Sequence, residues 1–127
     1  MGVELSGILQ IAIPAKDIER AIAFYRDKLE LQFLMHGPNM AFFNCGGVRL
    51  YLDANKGVLE SGGNSLVYFR SGNIEREHSL LKERGVKIHQ EPRVIASLPD
   101  RDIWLMWIRD SEENLLGIME ERKKRTA

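Results

Sequence analysis

The sequence predicts an α+β fold made of two βαβββ modules, and three observations predict it. Gln10 precedes the helix cap Asp17 by seven residues and Leu66 precedes Asn73 by the same seven, about the span of one short strand and a turn. The helices that follow share an inward stripe, Ile18, Ile22 and Tyr25 in the first matching Ile74, His78 and Leu81 in the second. After each helix come three short runs rich in β-branched and aromatic residues. A unit built twice in one small domain sets equivalent strands on either side of a shared cleft, and the residues at equivalent positions decide its chemistry.

In chain order, Ile8 to Ile13 is β-branched and reads as a mostly buried strand ending at Pro14. Asp17 caps a helix whose stripe is Ile18, Ala21, Ile22, Tyr25 and Leu29. Strands follow over Leu31 to Met35, Met40 to Asn44 and Val48 to Asp53, separated by Gly37-Pro-Asn and Gly46-Gly turns. A polar, glycine-rich loop, Lys56 to Asn64, leads to a strand from Ser65 to Arg70 and a helix from Ile74 to Arg84, capped by Asn73 and stopped by Gly85. Val86 to His89, Ile103 to Arg109 and Leu115 to Met119 complete the second module, which differs from the first by an inserted loop from Gln90 to Asp102. The predicted organisation is one domain over 1–127, with modules at about 5–55 and 64–121 and a charged, solvated tail at 122–127.

At 127 residues the chain is long enough to bury a core without disulfides or a structural metal. Its 18 Lys and Arg balance its 18 Asp and Glu, so no general field draws it to nucleic acid or an anionic membrane. A single cysteine, Cys45, makes no internal disulfide, which fits a reducing cytoplasm. Lying at a strand end with no nearby feature to lower its pKa, it reads as a small buried apolar residue rather than a nucleophile. Met1-Gly-Val-Glu-Leu-Ser lacks the basic start and apolar run of a signal peptide, and no apolar stretch approaches the roughly 20 residues of a membrane span.

Four segments, Ile11-Ala-Ile-Pro-Ala-Lys-Asp-Ile-Glu-Arg-Ala-Ile-Ala-Phe-Tyr-Arg-Asp, Cys45-Gly-Gly-Val-Arg-Leu, Leu80-Leu-Lys-Glu-Arg-Gly-Val and Arg109-Asp-Ser-Glu-Glu-Asn-Leu-Leu, resemble the vicinal oxygen chelate superfamily of glyoxalases, bleomycin-resistance proteins and extradiol dioxygenases. The resemblance runs from about Leu5 to Glu121. It implies paired modules forming a curved mixed sheet around a cleft, often completed in a homodimer. In the family's enzymes the cleft holds a divalent metal on a histidine from the first strand of each module and a carboxylate or similar group from the last. By position those places fall here on Gln10, Tyr51, Leu66 and Gly117.

Leucine and glycine side chains offer no lone pair, a neutral tyrosine is a poor ligand, and glutamine gives at best one carbonyl oxygen. A divalent Zn, Fe or Ni ion needs about three or four protein donors. Neighbouring positions on these strands are nearly all inert, so a shift of register does not rescue the site. Of the histidines, His78 sits on the helix stripe, while His36 and His89 end strands. The expectation is therefore no metal and no cofactor.

Period-two alternation puts Gln10, Ala12, Arg49, Tyr51, Asp53, Leu66, Tyr68, Arg70, Leu115, Gly117 and Met119 on the cleft side, and a uniformly apolar set including Ile13, Leu50, Leu52, Val67, Leu116 and Ile118 on the helix side. Aromatic rings with a few convergent polar groups suit a small organic ligand. The inserted loop is expected to bring Arg93, Arg101 and Trp104 over the cleft mouth. Trp104 and Trp107 differ by three, so on one strand only one of them lines it. Two functions remain: a metal-free binder of a small molecule, using Gln10, Arg49, Tyr51, Leu66, Tyr68, Arg70, Arg93, Arg101, Trp104 and Gly117; or a glyoxalase-type lyase, isomerase or dioxygenase-like enzyme with a non-standard metal site at His36 or His89, or with acid–base catalysis by Asp53, Asp102 or a histidine.

Overall fold

The computed structural model describes residues 2–4, 6–55 and 66–125. The chain forms two compact units, Met1–Ser61 and Gly62–Ala127, each a four-stranded mixed sheet with one principal helix. The first runs β1 (Gln10–Pro14), α1 (Ile18–Ala23), a π-helical turn (Phe24–Lys28), β2 (Gln32–Gly37), β3 (Met40–Cys45) and β4 (Val48–Asp53). The second runs β5 (Val67–Arg70), α2 (Ile74–Glu83), β6 (Lys87–Ser97), β7 (Arg101–Arg109) and β8 (Leu115–Lys123).

Strand order is β1-β4-β3-β2 in one sheet and β5-β8-β7-β6 in the other, so in both the first strand of the unit lies beside the last. That one pairing is parallel and the rest are antiparallel. The shared topology is what the repeated seven-residue spacing predicts. The α+β class and the repeated βαβββ order stand.

Both predicted caps form: Asp17 accepts from the Arg20 amide at 3.1 Å, and Asn73 from the Arg76 amide at 3.1 Å. The Gly46-Gly47 turn has φ of +58° and +91°, values that favour glycine at both positions of a two-residue hairpin turn. Ala21, Ile22, Phe24, Tyr25, Phe43, Leu50 and Leu52 are buried in the first unit; Ile74, Leu81, Met106, Ile108, Leu116 and Ile118 are buried in the second. The apolar face therefore packs beneath the helix in each sheet, as the alternation requires.

Four expectations are corrected. The helix stripe does not continue to Leu29, because the turn after Ala23 widens: the Leu29 amide donates to the carbonyl of Phe24, five residues back, at 3.1 Å. This brings Phe24 inward beside Tyr25, their rings 5.3 Å apart. The first strand begins at Gln10 on a sheet edge, leaving Ile8 and Leu9 exposed. The expected loop Gln90–Asp102 is mostly a hairpin of β6 and β7, turning only through Leu98, Pro99 and Asp100, with the Leu98 amide donating to the Arg101 carbonyl at 2.8 Å. An edge strand tolerates proline, so Pro92 does not break β6. The strand β8 continues to Lys123, two residues into the segment expected to be a charged tail. The predicted loop Lys56–Asn64 and the strand start Ser65 lie outside the described residues. Among the described residues no helix is long and apolar enough to cross a membrane.

Candidate functional site

On the face of the first sheet turned away from α1, strand register sets two rows side by side. Gln10, Arg49, Asn44 and Gln32 align across the four strands, and Ala12, Tyr51, Phe42 and Met35 form the next row. The polar row is joined by hydrogen bonds: Arg49 Nε donates to Gln10 Oε1 at 2.7 Å, and Asn44 Nδ2 to Gln32 Oε1 at 3.0 Å. In the aromatic row Tyr51 stacks on Phe42 with centroids 5.1 Å apart and planes at 28°. The Arg49 guanidinium lies over the Phe42 ring at 5.0 Å, tying the rows together.

The second sheet has a corresponding face. Tyr68, Gly117, Trp107 and Gln90 share one row; Arg70, Met119, Leu105 and Arg93 share the next. Tyr68 on β5 and Trp107 on β7 are two strands apart, roughly 10 Å of backbone at the usual spacing, yet their ring centroids are 5.3 Å apart. They meet over Gly117, where an added Cβ would lie 2.8 Å from Tyr68 Cδ2 and 3.1 Å from Trp107 Cζ3. Glycine is required there for close approach, not for backbone conformation.

The remaining proposed contacts are placed as follows. Leu66, Arg70 and Arg93 are exposed. Arg101 is engaged at the hairpin end, with Nη1 3.1 Å from Asp100 Oδ1 and its buried Nε 3.1 Å from Glu121 Oε1, an ion pair out of line for a hydrogen bond. Trp104 pairs with Glu120 in register, on the face packed by α2, under the Arg122 guanidinium at 4.8 Å. Glu120 there accepts from the Ile74 amide at 2.8 Å and from Arg122 Nε at 2.9 Å. Trp107, not Trp104, thus shares the face of Tyr68 and Gly117. Reading the residues missed Phe42, although the two-residue turn that pairs Cys45 with Val48 fixes Phe42 opposite Tyr51 by simple counting.

The candidate acids Asp53 and Asp102 are committed to structure. Asp53 is buried, its Oδ1 accepting from the amide and side chain of Asn55 at 2.8 and 2.9 Å. Asp102 accepts from Ser97 Oγ at 2.7 Å across the hairpin. Burial pushes the Cys45 thiol above its ordinary pKa, away from a reactive thiolate. His78 and His89 line a shallow groove of about 520 Å³ between α2 and β6 with Lys82 and Glu91, where His78 Nε2 is 3.7 Å from Glu91 Oε1. His36 is exposed on β2.

A model of the Glyoxalase/Bleomycin resistance protein/Dioxygenase superfamily matches residues 7–117. The chain belongs to this superfamily. A metallothiol transferase FosB of Staphylococcus epidermidis is 26% identical over 114 residues, 88% of this chain and 65% of that protein. The superfamily member described here thus spans just under two thirds of that relative's length. Its fold is similar to TnmS3, an antibiotic binding protein from Streptomyces sp. CB03234 (TM-score 0.77, 19% identity, 94% of this chain and 99% of that one). It is also similar to lactoylglutathione lyase from Agrobacterium tumefaciens (TM-score 0.72, 21% identity, 92% and 95%).

The metal implied by the superfamily does not fit the residues at the four positions that the resemblance assigns to it. Of Gln10, Tyr51, Leu66 and Gly117, the best donor is Gln10 Oε1, and it already accepts from Arg49 Nε. A divalent cation there would also face the guanidinium charge. The side chains of Leu66 and Gly117 have no donor atom, and the Tyr51 ring is stacked on Phe42. Among the described residues, no three His, Cys, Asp or Glu side chains gather in a way that could hold a metal ion.

Proposed function

We propose that this superfamily member binds a small organic molecule through aromatic and hydrogen-bonding side chains, without a divalent metal at the four positions its relatives use. The observation that carries the reading is the face of the first sheet, where Tyr51 and Phe42 present a stacked aromatic row beside the Gln10–Arg49 pair. Tyr68 and Trp107 give the second sheet an aromatic pair of its own, flanked in the next row by Arg70 and Arg93. Aromatic surface contributes contact area, and a few fixed polar groups contribute orientation. The likeness in fold to an antibiotic binding protein is consistent with this reading.

A second reading, group transfer or isomerisation at a metal, draws on the similarity to a protein named a metallothiol transferase. The donor set described above argues against it. Two measurements on purified protein separate the readings. Elemental analysis is expected to find no stoichiometric tightly bound divalent ion. A thermal-shift screen against aromatic and carboxylated metabolites is expected to give ligands whose stabilisation falls in Tyr51→Ala and Arg49→Ala. One equivalent of a divalent ion, lost on changing His36 or His89, overturns the binding reading in favour of the enzyme. Responses unchanged in both variants, with folding intact, overturn the assignment of the face.

A further inference from the structure

We propose that the face of the first sheet selects planar aromatic ligands that carry an oxyanion, a carboxylate or a phosphate ester, with Arg49 as the anion contact and Gln10 as its positioning residue. This rests on the reading that this face is the binding surface, and adds the chemical class of the ligand.

The argument is an inventory of donors and acceptors along the polar row. Its side-chain acceptors are engaged inside the protein: Gln10 Oε1 takes Arg49 Nε, Gln32 Oε1 takes Asn44 Nδ2, and Asn44 Oδ1 takes the Gly47 amide at 3.2 Å. Among the described residues, Arg49 Nη1 and Nη2 and the amide nitrogens of Gln10 and Gln32 have no hydrogen-bond partner. The row is therefore rich in uncommitted donors. A group with acceptor oxygens and negative charge satisfies such a row; a donor group or a cation does not.

Arg49 is also held in place. Its Nε is tied to Gln10, and its Cζ lies 5.0 Å from the Phe42 ring centroid. That fixes a fork whose two terminal nitrogens are the natural partners of a carboxylate or phosphate. A guanidinium restrained before binding loses less entropy when it takes the anion. The Tyr51–Phe42 stack begins in the neighbouring row, one residue pair along the strands, so an aromatic body can lie on the rings while its acid reaches Arg49.

The test is titration calorimetry at neutral pH and low salt with three probes sharing one ring system: 2-naphthoate, 2-naphthyl phosphate and the neutral 2-naphthalenemethanol. In the wild-type protein at least one anionic probe is expected to bind about tenfold or more tightly than the neutral one. Which anion is preferred distinguishes a carboxylate from a phosphate source. Gln10→Glu keeps the shape of the side chain but supplies Arg49 with an internal carboxylate. It is expected to remove the anion preference, the affinity for the anionic probes falling to that for the neutral one, and Arg49→Gln to do the same. Tyr51→Ala is expected to weaken all three probes alike. The proposal is overturned if the wild type binds neutral and anionic probes equally, or if Gln10→Glu keeps the preference. If no probe binds at all, the binding reading of this face falls with it; equal binding of all three leaves that reading standing and removes only the charge preference.

Discussion

Replacing Gly117 by alanine tests the arrangement of the second sheet's aromatic pair. The new Cβ would lie 2.8 Å and 3.2 Å from two carbons of the Tyr68 ring and 3.1 Å from Trp107 Cζ3. Carbon atoms settle at roughly 3.5–4.0 Å, so the Tyr68 ring must retreat by about 0.7 Å. Tyr68 is 48% exposed and sits on an edge strand, so it can swing outward rather than push the backbone. Doing so gives up the contact with Trp107, worth about 0.5–1.5 kcal/mol for such a pair. Alanine recovers about 0.5–1 kcal/mol of the usual cost of glycine in a strand. In the wild-type background these effects nearly cancel, and the single variant is close to neutral or destabilised by up to about 1 kcal/mol. In a Tyr68→Ala background only the Trp107 Cζ3 contact at 3.1 Å remains, and the same substitution is expected to be neutral or to stabilise by up to about 1 kcal/mol. Urea unfolding of the four proteins in a double-mutant cycle should give a coupling of about 1 kcal/mol. Equal effects of Gly117→Ala in both backgrounds refute the claim that Gly117 is there to admit the Tyr68 ring.

Glu120→Ala strips a buried amide, Ile74 N–H, of its acceptor and Arg122 of one partner, and should lower unfolding stability by about 2–3 kcal/mol in urea titration. Glu75→Ala, at the exposed end of the same Arg122 cluster, should cost clearly less in the same titration. Hydrogen bonding to Arg122 holds the carboxyls of Glu120 and Glu75 below their ordinary value of 4.5. Their contribution is therefore complete above that value and is lost as the pH falls through the lower folded-state values. Thermal melts between pH 7 and pH 3 should show an acid limb that is shallower in Glu120→Gln. Asn73→Ala removes the N-cap of α2 and should destabilise by about 1 kcal/mol, read as a fall in melting temperature with the fold retained.

The parts of the fold that depend on short-range chemistry were legible from residues alone. Asp17 and Asn73 carry an acceptor at the right offset, the helix stripes have the right period as far as the widened turn after Ala23, and the seven-residue spacing repeats; each survives in the structure to that extent. What was not legible depends on partners far away in sequence. Glu120-Glu-Arg-Lys-Lys-Arg125 has the composition of a solvated end, yet Glu120 is only 7% exposed because the Ile74 amide and Arg122 claim its carboxylate. The segment around Pro92 and Pro99 reads as a loop because proline and charge usually punctuate strands. Here β6 is an edge strand and its partner β7 supplies the ladder. The site divides along the same line. Phe42 was within reach of counting from the Gly46-Gly47 turn, whereas the pairing of Trp107 with Gly117 depends on the longer turn before β8, whose register no local rule fixes.

The two faces reach a similar result by opposite assignments. At matching register, the first sheet sets Ala12 beside Tyr51 and the second sets Tyr68 beside Gly117, so each parallel pair carries one tyrosine and one small residue. The third strand then adds Phe42 or Trp107. In the first sheet the tyrosine stands on the inner strand β4, next to its aromatic neighbour, and the rings stack at ordinary strand spacing. In the second it stands on the edge strand β5 and has to lean across glycine to meet a tilted partner. The consequence is a difference in rigidity. Tyr51 is half-buried against Phe42, itself covered by Arg49, so that surface exists before any ligand arrives. Tyr68 is restrained on one side only and can reorient. Discrimination between ligands needs groups that do not adjust to fit, so the proposed binding reading assigns it to the first sheet's face rather than to a ring that can swing.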